Sequence, residues 1–264
     1  MIILRIGGII GKRKIEYTNK EFSPQNQTIH KINEVPVAFP ANWEKLVIEA
    51  KDRLLAEYYP IQSIELNSEN EVSAIKLLKS TTEILDQLNI PYWLEGGTLL
   101  GAVRDQKLIP WDHDLDIGVK YENDDTLKKL ISQLRKKYYI RALPFSNEEN
   151  VWSLGKYRII KVYPRKYLFF REKLCLDIFI FYRDVLKSSN KEVYKYGIWN
   201  KNAYYDHKLL EELSTISFYG REYSTPGKTS EYLEAKYGDD WKIPRENWNV
   251  VIDDKSISRQ EDQS

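Results

Sequence analysis

The sequence predicts an α/β (α+β) chain, a mixed β-sheet flanked by helices. Apolar residues recur at helical spacing over residues 71–88 and 124–134. Short apolar runs at residues 92–94, 114–119 and 174–182 have the length and composition of strands. Strands interleaved with helices, some of them in hairpins, give a sheet with helices packed on it.

Taken in order, residues 1–40 read as short strands and turns. Residues 1–6 form a first strand, and Gly7-Gly8, Pro24, Pro36 and Pro40 supply punctuation. Asn42 then stands where a helix cap belongs. Trp43, Leu46, Val47, Ala50 and Leu54 follow at helical spacing until Pro60. A second helix over 71–88 turns Val72, Ile75, Leu78, Leu85 and Leu88 inward, and Asn89 and Pro91 end it. A strand at 92–94, a Gly96-Gly97 turn, a helix over 98–105 and an extended segment at 114–119 come next. Asp124-Asp125 open a helix with Leu127, Leu130, Ile131 and Leu134 on one face. Residues 138–182 read as strand-rich. The remainder reads as mostly helical, with turns at Gly220 and Pro226-Gly227. The expected division is an N-terminal extension over 1–60 with short strands and one helix, a catalytic domain over 61–252, and a polar, disordered tail over 253–264.

Composition narrows the function. Of 264 residues, 42% are hydrophobic and 30% charged, as expected of a water-soluble fold, and the net charge is +1. Such a balance argues against a nucleic-acid partner, which calls for a basic excess. Cys175 is the only cysteine, and His30, His113 and His207 are scattered, so neither an intrachain disulfide nor a structural zinc cluster is expected. The apolar start lacks the marks of a signal peptide, and no run reaches the roughly 18 apolar residues of a membrane span. A cytoplasmic location is expected, with peripheral membrane association left open.

The chemistry concentrates at Asp112-His113-Asp114-Leu115-Asp116. Side chains alternate along a strand, so Asp112, Asp114 and Asp116 share a face if the strand extends that far, with Leu115, Ile117 and Val119 on the other. Carboxylates crowded on one face repel unless a cation lies between them, and hard ions such as Mg²⁺ or Mn²⁺ take oxygen ligands. The pattern alone is equally compatible with a solvated acidic turn. Upstream, Glu95-Gly96-Gly97-Thr98 joins a strand to a helix, where glycine lets a phosphate approach the backbone; it also suits an ordinary turn. Downstream, Asp177 lies in the apolar run Leu176-Asp177-Ile178-Phe179, so it needs a metal or a nearby arginine.

Together these pieces resemble the nucleotidyltransferase-like active site. The long block Trp93-Leu94-Glu95-Gly96-Gly97-Thr98-Leu99-Leu100-Gly101-Ala102-Val103-Arg104, followed by Ile109-Pro110-Trp111-Asp112-His113-Asp114-Leu115-Asp116, resembles the LicD and fukutin-related family. His113 stands where relatives often carry Asp or Tyr. Residues 232–241, Tyr232 to Trp241, resemble that family's closing motif. The resemblance covers roughly residues 71–245 and leaves 1–60 unaccounted for.

The resemblance implies a metal-dependent transferase that moves a phosphocholine- or ribitol-phosphate-like unit from a CDP-activated alcohol to a glycan or lipid-linked sugar hydroxyl. It implies Mg²⁺ or Mn²⁺ at Asp114, Asp116 and Asp177. Asp112 is then a further ligand, a general base, or only a turn cap. Gly96, Gly97, Thr98 and Arg104 would meet the donor phosphates, guanidinium being matched to phosphate. Lys156 and Arg158 are read as sharing a strand face and joining them. They belong to a basic run with Lys161, Arg165, Lys166, Arg171 and Lys173, which reads equally as a solvated hairpin or an anionic docking face. Trp111 is a candidate stacking residue; Trp241 reads as packing. The alternative activity is nucleotidyl transfer from an NTP to a small acceptor. A non-catalytic carbohydrate-binding module is the third reading, and the intact carboxylate set argues against it.

Overall fold

The computed structural model describes residues 27–32, 35–40, 64–145, 155–166, 170–198 and 201–257. The strand expected at 1–6 and the helix expected after Asn42 lie outside these residues. The chain divides into two compact units, Met1–Ile61 and Gln62–Ser264. In the first, β1 (Gln27–Ile32) and β2 (Val35–Pro40) pair antiparallel, with Ile32 opposite Val35.

The second unit opens with α1 (Glu71–Gln87). Its buried stripe is Ala74, Leu77, Leu78, Thr81 and Leu85. Val72, expected inward, is 74% exposed. Six residues from Leu78 place it about 120° around the helix, off the stripe. β3 (Tyr92–Leu94) leads into α2 (Gly96–Leu100), which begins two residues before the expected Thr98 and widens into a π-type turn over Gly101–Asp105. β4 spans Leu115–Lys120. α3 (Asp124–Lys137) buries Leu127, Leu130, Ile131 and Leu134, as its spacing predicts. Asn123 caps it by accepting from the Thr126 N–H at 2.8 Å, and acidic residues at its start and basic ones at its end complement the helix dipole.

β5 (Tyr139–Pro144), β6 (Tyr157–Tyr163), the short β7 (Arg165–Lys166) and β8 (Phe170–Arg171), and the long β9 (Leu176–Leu186) make the expected strand-rich stretch. The following part is not mostly helical. β10 (Lys191–Ile198), β11 (Lys201–Asp206), β12 (Leu213–Phe218) and β13 (Arg221–Pro226) come before α4 (Thr229–Tyr237) and α5 (Val250–Asp253). Tyr, Val, Ile and Thr in these segments favour a pleated surface. Tyr219 and Gly220, at φ 48° and 73°, provide the left-handed pair that a tight hairpin needs.

Among the described residues, seven strands form the main sheet. Its order is β11-β10-β9-β4-β3, with β6 on the first half of β9 and β5 on β6. The β4–β9 pair is parallel and the other pairings in the sheet are antiparallel. Leu115, Ile117 and Val119 of β4 and Leu176, Ile178 and Ile180 of β9 are all fully buried in the common core. Residues of opposite parity, Asp116, Gly118, Asp177, Phe179 and Phe181, occupy the other face.

Order continues into the segment expected to be a polar tail. Asp254 and Ser256 are buried, and Ile257 bridges Ala203. The physical reason is charge pairing: the Lys236 ammonium lies 2.7 Å from the Asp254 carboxylate, deep in the protein.

Candidate metal centre

The site is assembled by strand register. In the parallel pair, Asp116 of β4 stands opposite Asp177 of β9; in the antiparallel pair, Lys161 of β6 stands opposite the same Asp177. Residues opposite one another point to one face, so Asp116, Asp177 and Lys161 form a row across the sheet. Asp114, just before β4, completes a trio: one carboxylate oxygen each from Asp114, Asp116 and Asp177 lies within 4.8 Å of the others. Ligands about 2.1 Å from one Mg²⁺ can be at most ~4.2 Å apart, so the trio needs to close by no more than about 0.6 Å. All-oxygen donors suit Mg²⁺ or Mn²⁺. The residues present fit such an ion.

Like charges crowd here. Burial raises the Asp116 carboxyl well above the ordinary range, and Asp114, Asp112, Asp177 and Glu95 raise it further. Burial and the Asp114 charge push Asp112 up to about 7, against a hydrogen bond from the His113 N–H at 2.9 Å. A cation in the trio would relieve this repulsion.

β4 begins at Leu115, so Asp112 does not join the ladder by strand alternation. It sits instead in the chain entering β4 and packs against the glycine turn. A Cβ on Gly97 would fall 1.8 Å from Asp112 Oδ2, and one on Gly96 2.4 Å from Asp116 Oδ2. Gly96 also has φ +52°. The Asp112 and Asp116 carboxylates therefore occupy the space that a side chain on either glycine would take. Thr98 lies inside the protein at 1% exposure, where its hydroxyl oxygen accepts the Asp116 N–H at 2.8 Å. The bond ties the start of α2 to β4.

Asp177 is 4% exposed; a lysine bonds it directly, and Arg158, the kind of partner expected, also interacts with its charge. Lys161 Nζ lies 2.5 Å from its Oδ2, and Cys175 Sγ lies 3.0 Å from its Oδ1. Burial alone would lower the lysine's pKa, but Asp177, Cys175 and Asp114 outweigh it and hold the ammonium charged. Lys161 appeared in the sequence only as a member of a basic run.

Glu95 is a second residue whose part the sequence concealed. It is fully enclosed at 1% exposure, yet richly bonded: Trp93 Nε1 donates at 2.8 Å, Tyr232 OH donates, and Tyr205 OH reaches at 3.5 Å. Burial still raises its pKa, against the Lys236 charge and these bonds. The aromatics form a ladder, with Phe181 on Tyr196, Tyr196 on Tyr205 and Tyr205 on Tyr232 at centroid separations of 4.5, 5.6 and 4.0 Å. Through it the closing helix α4 is tied to the sheet beneath the trio. Trp241 is buried, in keeping with packing, and Trp111 is half-buried against the core.

The remaining candidates do not all gather at the trio. Arg104 is held by a two-pronged pair with Asp105, at 2.9 and 2.6 Å. Lys156 precedes β6, exposed, with its ammonium over the Tyr121 and Tyr182 rings. Arg158 occupies the register shift between β5 and β6, where Pro144 faces Tyr157 and Leu143 faces Ile159. Its methylenes lie where a side chain on Gly197 would be. The shared strand face expected for Lys156 and Arg158 is thus interrupted by the bulge. Arg165, Arg171 and Lys173 are exposed, and the Lys166 side chain lies outside the described residues.

A sheet that sets carboxylates from adjacent strands beside a Gly-Gly turn defines a nucleotidyltransferase-type domain. The family described as LicD/FKTN/FKRP, nucleotidyltransferase domain, matches residues 89–228, and the chain belongs to that family. It is 30% identical to an uncharacterised protein of Rickettsia prowazekii over 61% of this chain and 54% of that one. It is 29% identical to human ribitol-5-phosphate transferase FKTN over 67% of this chain and 35% of that protein. A 49-residue stretch is 37% identical to the lipopolysaccharide cholinephosphotransferase LicD of Haemophilus influenzae, 19% of this chain and 18% of that one. The matched region thus spans about half or less of these relatives.

Proposed function

We propose that this chain is a metal-dependent transferase that moves a phospho-alcohol unit, of the phosphocholine or ribitol-phosphate kind, from a CDP-activated donor to a glycan or lipid-linked sugar hydroxyl. The convergence of Asp114, Asp116 and Asp177 oxygens within 4.8 Å, in a chain of this family, carries the reading. The names of the FKTN and LicD relatives supply the two kinds of unit to try. Surface polysaccharide or glycoconjugate modification is the setting this chemistry suits. Among the described residues no helix is long and apolar enough to cross a membrane.

The transfer breaks the phosphorus–oxygen bond to CMP and forms one to the acceptor oxygen, which gives up its proton. Asp114, Asp116 and Asp177 would hold the ion, Mg²⁺ or Mn²⁺, and Thr98 and the Gly96-Gly97 turn fix where Asp116 and Asp112 stand. An ion held there would supply charge neutralisation for the donor diphosphate and the departing CMP. Glu95, closed in by Trp93, Tyr205 and Tyr232, keeps the turn seated on the sheet.

The test incubates the full chain with Mg²⁺ and CDP-ribitol, CDP-choline, CDP-glycerol or CDP-ethanolamine, and follows CMP. Release from one donor in the presence of a sugar acceptor is expected, with a loss of about a hundredfold or more in Asp116→Asn and Asp177→Asn. Pyrophosphate release from an NTP, with no CMP from any donor, would replace this reading by nucleotidyl transfer.

A further inference from the structure

We propose that Lys161 is a built-in counter-cation for Asp177, holding that carboxylate while the centre carries no divalent ion and yielding it when one binds. The inference rests on the reading of the three aspartates as a metal centre.

Both Asp177 oxygens are engaged: Oδ2 by the Lys161 ammonium at 2.5 Å and Oδ1 by the Cys175 thiol at 3.0 Å. Neither contact is a surface accident. Register sets Lys161 directly across from Asp177, and the side chains are only 22% and 5% exposed. A buried carboxylate left alone beside two others would be costly. The lysine offsets that cost. Yet an ion within reach of Asp114, Asp116 and Asp177 would bring two positive charges to the carboxylate that already holds an ammonium. Like charges so close oppose each other strongly where water is scarce. The two cations therefore compete. A flexible four-carbon stem lets the ammonium swing away without disturbing β6.

Lys161 is then a positioning residue, and its removal should alter ion affinity in a direction that mere loss of a stabilising contact would not. Mn²⁺ is titrated into the full chain by calorimetry and by the loss of its free-ion resonance signal. Lys161→Met should bind Mn²⁺ about tenfold tighter or more than the wild type, while its melting temperature in EDTA falls. Lys161→Arg, which keeps the charge, should stay within about threefold of wild type. Should Lys161→Met fail to fold, Lys161→Gln keeps a donor for Asp177 and should tighten binding in the same sense. A wild type that binds Mn²⁺, with Lys161→Met and Lys161→Gln binding it no tighter, overturns the counter-cation role alone. Mn²⁺ taken up neither by the wild type nor by Lys161→Met overturns the metal centre and this role together.

Discussion

Gly97 and Gly118 each leave room that a neighbour uses. At Gly97 the neighbour is Asp112, and a methyl would collide with the end of its side chain. At Gly118 it is the Trp93 indole, 2.4 Å from the added carbon, and that ring is pinned by its bond to Glu95 and by Phe181 at 4.9 Å. The two alanine substitutions should therefore differ. Gly118→Ala should destabilise by about 1–3 kcal/mol in urea unfolding, because the ring has nowhere to go. Gly97→Ala should cost less stability but weaken Mn²⁺ binding, since Asp112 and the approach to Asp114 must shift. An unchanged Mn²⁺ affinity in Gly97→Ala would show that the carboxylate's place against the turn is immaterial to the centre. The need for glycine at 96–97 was legible in the sequence; that the Asp112 and Asp116 carboxylates pack against it was not, because the contact joins residues distant in the chain.

Among elements, the β9–β10–β11 sheet edge is fastened by partly exposed ion pairs. Lys195 lies 2.9 Å from Asp184, and Lys191 lies 3.0 Å from Asp206. Burial alone would raise both carboxyls. Hydrogen bonds from Lys195 and the Val185 N–H to Asp184, and from the Lys208 N–H and Lys191 to Asp206, outweigh it and leave both below the ordinary value. A carboxyl with a depressed folded pKa adds stability above its unfolded value, near 3.9, and that stability is lost as pH falls through the folded value. At pH 6, Asp184→Asn and Asp206→Asn should unfold at lower urea than wild type. The gap should shrink as pH drops below about 4, because wild type then loses the same charge. A gap that stays constant from pH 6 to pH 2.5 would mean the pairs contribute nothing through charge. Of these elements α3 was the most legible, since Asn123, the acidic start and the four apolar positions all agree. The four strands from Lys191 to Pro226 were missed, because adjacent pairs such as Lys191-Glu192 and Tyr204-Tyr205, and the Ser-Thr pair in Leu213–Phe218, break a period of two.

The larger assembly depends on a charge pair that closes the C-terminal end. Lys236 of α4 pairs with Asp254 at 2.7 Å, with side chains 4% and 0% exposed, and Tyr196 OH meets Ser256 Oγ at 2.7 Å. Removing one partner leaves the other charge buried, at a cost of about 3–5 kcal/mol. Asp254→Ala should therefore unfold far more readily than Lys228→Ala, whose weak pair with Glu231 lies at the surface at 3.8 Å. Because α4 also carries Tyr232 to Glu95, Asp254→Ala should lower Mn²⁺ affinity as well. Equal melting temperatures for the two variants would exclude a structural part for the segment after α5. Its polar composition suggested a tail, and only its burial against α4 and β11 reveals an anchor.

Local information was enough for what is local. Helix α3, strands β3 and β4, the glycine turn and the identity of the three aspartates follow from spacing and from the preferences of single residues. The centre itself depends on register: Asp116 meets Asp177, and Asp177 meets Lys161, through pairings between strands separated by long stretches of chain. Shifting any of them by one residue would turn its side chain to the opposite face. Which register wins is settled by how Ile117, Ile178 and Ile160 pack beneath the sheet, a collective property of the core that no single segment carries.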